Sequence, residues 1–411
     1  MLLLNIIPLI IIIVLLVLKQ HMLIAGLAGG IVAMIIGGMN PASAAGIVQS
    51  SVGTMLGYLA PVLYAAAAMM VSKSGSFTAL VDFAQKKLKD KIAWVAGVFV
   101  LIQALATYMA GMGAGNTMVI APLVAAAVGA VPEVIAGMAI ATAACFTTSP
   151  ASTETVLAAE AAARDVAEHA NAMLPFTLLF VVLGAALAVW GVYKRGTMLK
   201  DGAAAGEKKE TSLVQAIPAL VLVILVIFGG KINGLTGLHV FAPVVNVLVA
   251  AVLCVVCCKT KPADVCNNLI DGSRFILTTL FGVGIFLGFI NLVAELGTFE
   301  QLAALAGQAP NILIVPVAII IAFLIAIPSG AFCAGVLALV LPTLSALGLP
   351  STAMGLVAIA AGLGTQVSPV QINIAALSDG FKVDIFKIIK DNLKYVLCGL
   401  VILILASFIV R

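Results

Sequence analysis

Long apolar runs alternate with short polar segments along the whole chain. Runs near 2–18, 22–38 and 55–71 open the sequence, and each is long enough, or nearly so, to cross about 30 Å of hydrocarbon. The later apolar runs lie near 92–109, 116–130, 133–163, 173–193, 212–229, 239–258, 274–295, 311–347, 351–377 and 395–410. This pattern predicts an all-α polytopic membrane protein.

Two of these runs contain polar residues and proline where an ordinary membrane-spanning helix has none. Residues 145–155 read Cys-Phe-Thr-Thr-Ser-Pro-Ala-Ser-Thr-Glu-Thr, and residues 362–373 read Gly-Leu-Gly-Thr-Gln-Val-Ser-Pro-Val-Gln-Ile-Asn. Proline removes a backbone donor and disfavours helical geometry at the residue before it. Unpaired backbone groups are costly in hydrocarbon, so a break of this kind must face a protein-lined cavity. We therefore predict broken helices over 133–163 and 351–377, the type of element that binds substrate and ions in secondary transporters.

The two breaks indicate an internal repeat. Ser149-Pro150 and Ser368-Pro369 are 219 positions apart, and a Gly-containing interruption precedes each of them. These interruptions predict re-entrant hairpins over 92–130 and 311–347. The first repeat then covers 1–193, a polar linker covers 194–211, and the second repeat covers 212–411. Each half has about five full spans, and because five is odd, the halves must have inverted topology.

Composition and charge agree with this interpretation. The chain has 411 residues, of which 63% are hydrophobic and 9% charged, whereas soluble proteins carry roughly 25% charged residues. With both termini outside, the cytoplasmic segments hold nearly all Lys and Arg, as the positive-inside rule requires. These segments are 19–21, 72–91, 194–210, 259–274 and 382–394. We expect a multi-pass protein of the inner (plasma) membrane whose partner is the lipid bilayer and not nucleic acid, since the net charge is only +4.

The remaining sequence signals argue against a signal peptide, a zinc site and an enzyme. The apolar start, 1–18, lacks a charged n-region and a cleavage site, so it is read as a first transmembrane helix and not a signal peptide. Seven cysteines include Cys254-x-x-Cys257-Cys258, but no second pair or histidine stands at zinc-ligand spacing. No nucleotide motif or nucleophile constellation is present. We therefore expect no enzyme activity, no catalytic residues, no cofactor and no metal beyond Na⁺ as a possible coupling ion.

This layout resembles the ion-transporter superfamily, which includes divalent-anion/sodium symporters, citrate–metal symporters and NhaC-type antiporters. Asn116-Thr117 is similar to the hairpin tip of the divalent-anion symporters, and 362–365 with Ser368-Pro369 resembles their broken helix. The stretch 149–157, followed by Asp165, His169 and Leu174-Pro175, resembles the citrate and NhaC-type patterns. The resemblance implies an elevator mechanism and a homodimer.

The sequence departs from these patterns at three places. Gly115 stands where the symporter tip has Ser, residues 331–333 do not match that tip, and Thr153 stands where NhaC-type proteins have Asp.

The polar residues of the tips and breaks are the candidate site. Helix N-termini suit an anionic carboxylate, and oxygen-bearing groups suit Na⁺. The candidate substrate-binding residues are Asn116, Thr117, Thr148, Ser149, Ser152, Ser329, Gln366, Ser368, Gln371 and Asn373. The candidate ion-binding or coupling residues are Gly115, Thr147, Glu154, Gly364 and Thr365. The competing interpretation is that these hydroxyls only satisfy helix carbonyls or allow close packing.

Glu154 separates the main functional hypotheses. An acid beside a break at membrane depth is a candidate proton carrier or cation ligand, although it could instead cap the following half-helix. The nearby Glu160, Asp165 and His169 are expected at the outer surface. Hydroxyl and amide groups outnumber this one acid, which favours cation-coupled symport of a small organic anion, such as a di- or tricarboxylate. The alternatives are a Na⁺/H⁺ antiporter that uses Glu154, and a non-transporting scaffold or enzyme.

Overall fold

The protein is helical throughout the part of the chain that the structure describes. A computed structural model describes residues 2–18, 20–57, 59–80, 83, 91–111, 113–198, 212–237, 240–330 and 333–409. Among these residues there is no β-strand, and the one isolated bridge pairs Gly129 with Met198. The all-α expectation is confirmed. Most of the predicted linker 194–211 lies outside the described residues.

The helices of the first half follow a one-turn helix at Leu2–Asn5. They are α1 (Ile7–Val17), α2 (Met22–Gly37), α3 (Pro41–Leu56), α4 (Leu59–Lys73), α5 (Ile92–Ala110), α6 (Ala114–Val128), α7 (Pro132–Thr148), α8 (Thr153–Ala161) and α9 (Val166–Arg195). A short helical stretch also covers 76–80.

The second half begins with a 3-10 turn at Leu213–Ala216, and another 3-10 turn, Leu305–Gln308, follows the helix at Thr298–Ala304. Its helices are α10 (Ile217–Thr236), α11 (Pro243–Cys258), α12 (Pro262–Ala294), α13 (Thr298–Ala304), α14 (Ile314–Ala326), α15 (Cys333–Ala346), α16 (Ser351–Thr365), α17 (Ile372–Phe381) and α18 (Ile385–Ser407).

Apolar helices dominate the fold, but few of them are long. Among the described residues, α9 and α12 are long and apolar enough to cross a membrane alone. Helices α7 and α8 pass the same criterion together, with a bend of 54° between them. Most other apolar helices have 10–17 residues. The helices therefore have the character expected of a membrane protein.

The segment between the second and third apolar runs is helical. The apolar pattern assigns no helix to residues 39–54, and instead Pro41–Leu56 forms helix α3. Asn40 caps this helix by accepting a hydrogen bond from the Ala42 backbone N–H at 2.8 Å, and proline suits the first helical position. The segment is rich in Ala, Ser and Gly, so its hydropathy is low although its cap signals are strong.

Two fully buried helices, α7 and α16, form the centre of the fold. Every side chain from Glu133 to Thr148 is buried, as is every one from Ala353 to Thr365. Helix α9 packs along α7, α14 packs along α16, and α7 and α16 contact each other. Small residues allow this closeness: a Cβ on Gly362 would lie 3.0 Å from the Ala143 carbonyl oxygen. The ends of both central helices are the two predicted breaks.

A buried ion pair ties three helices together at the start of α7. The Glu133 side chain is completely buried and accepts hydrogen bonds from Arg195 Nε at 2.7 Å and Nη2 at 2.8 Å. The Tyr395 hydroxyl of α18 donates to the same carboxylate at 2.8 Å. The start of α7, the end of α9 and the first half of α18 therefore lie on one side of the molecule.

We expect Arg195→Ala to lower the melting temperature of the purified protein by several degrees. The substitution leaves the buried Glu133 carboxylate with Tyr395 as its remaining side-chain donor, and removing one partner of a buried pair is strongly destabilising. Lys194→Ala is the matched control, because Lys194 is the adjacent cation and only lies over the Trp190 ring, at 4.6 Å. The double variant Glu133→Gln/Arg195→Ala should recover part of the loss. Equal melting temperatures for the Arg195 and Lys194 variants would contradict this role.

Candidate functional site

The first break is an extended turn between α7 and α8. Helix α7 ends at Thr148, Ser149 is extended, and Ser152 caps α8 by accepting from the Thr155 N–H at 3.2 Å. Ser149 Oγ donates to the Tyr108 carbonyl of α5 at 2.5 Å and accepts from the Ala151 N–H at 3.0 Å. Side-chain groups thus replace the helical hydrogen bonds that the break removes.

The second break follows the same plan between α16 and α17. The Ser368 side chain is buried, and its Oγ accepts from the Val370 N–H at 3.3 Å. Gln371 caps α17 by accepting from the Asn373 N–H at 3.4 Å. Gln366 is also fully buried, and its Nε2 donates to Thr365 Oγ1 at 2.9 Å.

Each break packs against the tip of its own hairpin. Gly111 has a φ of +69°, and a Cβ there would collide with the Ala151 backbone of the first break. Gly330 lies against Ser368 of the second break in the same way. Ser329, beside Gly330, is buried, and its hydroxyl has no hydrogen-bond partner. Residues 331 and 332 of the second tip lie outside the described residues.

Two polar side chains connect the breaks to the opposite hairpins. Asn373 of α17 donates to Gln366 Oε1 at 2.8 Å and accepts from Thr117 Oγ1 of α6 at 2.6 Å. The Glu154 carboxyl group of α8 lies close to the Ala334 backbone N–H at the start of α15. Both hairpins and both broken helices therefore meet in one buried polar region.

The structure separates the candidate residues into two groups. Asn116, Thr117, Ser329, Gln366, Ser368 and Asn373 are all buried at the tips and the second break. Thr147 and Thr148, by contrast, donate to carbonyls of their own helix at 2.8 and 2.7 Å, and Thr148 also pairs with Thr177 of α9 at 2.7 Å. Gly364 packs against the Phe323 carbonyl of α14. For Thr147, Thr148 and Gly364, the geometry therefore agrees with the interpretation that such residues satisfy helix carbonyls or allow close packing.

The other candidates lie at the edges of this region. Gly115 is buried in the first turn of α6, and Thr365 donates to the Gly362 carbonyl at 2.6 Å. Ser152 pairs with Thr155 at 2.7 Å, and Gln371 is partly exposed.

Sequence reasoning missed three buried polar residues beside this region and a fourth at the opposite end of α7. Gln103 of α5 donates to Thr117 at 2.7 Å and to Thr142 of α7 at 2.8 Å, and Thr107 is buried on the same helix. A glutamine and threonines within apolar runs were visible signals for these three. Glu133 is the fourth, and an acid at the start of a membrane helix looks like an ordinary surface residue.

One surface expectation is wrong. Glu160 and Asp165 are exposed as expected, but the His169 side chain is completely buried and neither ring nitrogen has a hydrogen-bond partner. His169 lies one turn into α9, which begins at Val166 and turns this position towards the protein interior.

Comparison with known proteins adds no identification: no protein-family model and no curated protein matches the chain. Within the described residues, no group of three His, Cys, Asp or Glu side chains lies close enough to hold a metal ion. The fold is that of an all-helical protein with apolar helices, and its most unusual feature is the buried meeting point of two breaks and two hairpins.

Proposed function

We propose that the protein is a secondary active transporter that couples a cation, Na⁺ or H⁺, to symport of a small organic anion such as a di- or tricarboxylate. The observation that carries the proposal is the convergence of both broken helices and both hairpin tips in one buried polar region. Such a region costs stability in a membrane protein, and it is the arrangement that secondary transporters use for substrate.

An inverted repeat is part of the proposal. Asn373 and Glu154 are 219 positions apart, and each is the second residue of its half-helix, α17 or α8. Asn373 accepts a hydrogen bond from the second arm of the first hairpin, and Glu154 lies close to the second arm of the second hairpin. These exchanged contacts are what a pseudo-two-fold axis in the membrane plane would produce.

The ends of the helices support opposite orientations of the two halves. The ion pair of Glu133 with Arg195 joins the start of α7 to the end of α9. Lys194 and Arg195 at the end of α9 place this point on the cytoplasmic side by the positive-inside rule. The end of α8 meets the end of α15 instead, where Ser345 Oγ donates to the Ala161 carbonyl at 2.8 Å. Helix α8 ends one membrane crossing after α7 begins, so this second meeting point belongs on the outer side.

Helix packing is compatible with an elevator mechanism. Helices α5–α9 and α14–α18 pack among themselves, and α12 packs along α2, α3 and α4. The second group, α1–α4 with α10–α13, touches the first through helix pairs that include α4–α6, α5–α10, α12–α17 and α13–α15. In the proposed mechanism the first group carries the substrate and the second stays fixed, as part of a homodimer.

The chemistry of the region suits an anion together with a cation. Helices α6, α8, α15 and α17 all begin at the tips and breaks, and each N-terminus presents partial positive charge and backbone N–H groups that suit a carboxylate. Neither break contains Lys or Arg. Because helix ends and hydroxyls carry the recognition, a bound cation would help to balance the charge of the substrate.

A Na⁺/H⁺ antiporter is the second candidate, and Glu154 is the observation that favours it. This carboxyl group lies at the meeting point of α8 and α15, and within the described residues it forms no ion pair. An acid beside a helix break at membrane depth, without a basic partner, is suited to exchange H⁺ for Na⁺.

Uptake into liposomes tests the proposal. The purified protein is reconstituted, and uptake of labelled citrate, succinate and malate is followed under separate Na⁺ and proton gradients. Accumulation of one anion under one gradient is the expected result, and it names the coupling ion. Absence of anion uptake together with Na⁺-dependent pH change in the lumen would overturn symport in favour of the antiporter.

A further inference from the structure

Five oxygen-bearing side chains surround the inner end of the first hairpin. They are Gln103 and Thr107 of α5, Thr117 of α6, Thr142 of α7 and Asn373 of α17. Each is at most 3% exposed. Three of them, Gln103, Thr107 and Thr142, take no part in the proposed anion site.

Two oxygen atoms of this cluster are buried without a hydrogen-bond partner, although their neighbours are hydrogen-bonded to one another. Gln103 uses its Nε2 group for Thr117 and Thr142. Thr117 has one hydroxyl hydrogen, and both the Gly113 carbonyl, at 3.0 Å, and Asn373 Oδ1, at 2.6 Å, lie within reach of it. Gln103 Oε1 and Thr107 Oγ1 are buried and have no hydrogen-bond partner. A buried polar group without a hydrogen-bond partner costs about 1–3 kcal/mol, so these two oxygens require an explanation.

The two unpartnered residues lie on one face of α5, and Thr107 faces the tip of the hairpin. Gln103 and Thr107 are one helical turn apart, which makes them neighbours on the helix surface. A Cβ on Gly113 would lie 3.8 Å from Thr107 Cγ2 and 3.6 Å from Asn373 Oδ1. The Thr107 and Thr142 methyl groups and Asn373 Oδ1 thus approach the same small residue from three different helices.

We infer that this cluster binds a dehydrated Na⁺ ion. Hard cations prefer oxygen ligands, and divalent Ca²⁺ or Mg²⁺ sites normally include carboxylates. All five side chains of the cluster are neutral, which suits a monovalent ion. A positive ion satisfies several unpartnered acceptors together, including Gln103 Oε1 and Thr107 Oγ1.

The position of the site also links the ion to the anion. Thr117 and Asn373 belong to both the cation cluster and the proposed substrate region, and Asn373 bonds Gln366 of the second break. Na⁺ binding would hold α6 against α17 and so order the substrate contacts. Its role as the coupling ion depends on the proposed function, whereas its binding does not.

Thermal unfolding of the purified full-length protein tests the site without any transport assay. A ligand that binds only the folded state raises the melting temperature with its concentration. We expect NaCl to raise the melting temperature relative to choline chloride at equal ionic strength. Thr107→Val keeps the shape of the side chain but removes one oxygen ligand, and it should raise the half-saturating Na⁺ concentration about tenfold, equivalent to ~1.4 kcal/mol. Thr107→Ser keeps the hydroxyl and is expected to behave like wild type.

Two outcomes of the unfolding experiment would overturn the inference. The first is that wild type shows no Na⁺-specific rise in melting temperature. The second is that Thr107→Val and Thr107→Ser bind Na⁺ equally, which is expected if an ordered water satisfies these oxygens. The transport assay separates this failure from failure of the proposed function. If the protein shows Na⁺-driven anion uptake and Thr107→Val keeps wild-type Na⁺ affinity, only this site is rejected. If Thr107→Val loses the Na⁺-dependent rise in melting temperature but wild type takes up no anion, the site is supported and symport is rejected.

Discussion

Asn373→Ala is expected to reduce anion uptake at least about tenfold, the change that ~1.4 kcal/mol of lost interaction produces. The Asn373 amide donates to Gln366 at 2.8 Å and accepts from Thr117 at 2.6 Å. Its loss leaves buried groups of the second break and of the first hairpin without partners, at about 1–3 kcal/mol each. Uptake by reconstituted protein measures the effect.

Asn267→Ala is the matched control for Asn373→Ala. Asn267 is an exposed asparagine on α12, away from the breaks and tips. Its substitution should leave uptake unchanged. If Asn373→Ala retained wild-type uptake while still folding, the link between the second break and the first hairpin would not contribute to transport.

Glu154→Ala is expected to abolish uptake, while Glu154→Gln should keep it within about threefold of wild type, a difference below 1 kcal/mol. The Glu154 carboxyl group lies close to the Ala334 backbone N–H at the start of α15. Alanine removes this acceptor oxygen from beside the N–H, and an unsatisfied backbone group in hydrocarbon costs several kcal/mol. Glutamine still offers an oxygen acceptor of the same reach, so the contact between α8 and α15 persists.

The Glu154→Gln variant also separates the two candidate functions. Symport of an anion needs the acceptor oxygen at this position, whereas Na⁺/H⁺ antiport needs a group that can release a proton. Complete loss of function in Glu154→Gln, with normal expression and melting temperature, would favour the antiporter.

Much of the fold could be predicted because the chain marks its special positions strongly. The Ser-Pro pairs and the flanking apolar runs placed both breaks, and α7 and α16 do end at Thr148 and Thr365. Helix α3 was missed because hydropathy rewards large apolar side chains. The Ala- and Ser-rich segment 41–56 forms a helix through its cap and its packing against α12 instead.

The candidate site could be predicted less completely, because contacts between distant segments leave little trace in one sequence. The polar residues of the breaks were evident, but not that Asn373 would meet Thr117, which is 256 positions away. Burial was misjudged for the same reason: His169 lies in a charged segment and still faces the interior. Gln103 was visible as a polar residue in an apolar run, but only its hydrogen bonds to Thr117 and Thr142 show that it belongs to the cation cluster.

The most direct test of the account is whether one anion protects both breaks. Ser149→Cys and Ser368→Cys, each introduced into a chain lacking its seven native cysteines and each still active in uptake, are treated with a small thiol reagent. The account predicts that the transported anion slows modification of both cysteines with the same half-maximal concentration, because the two breaks border one site. Protection of one cysteine alone, or of neither, would contradict the claim that the breaks form a single binding site.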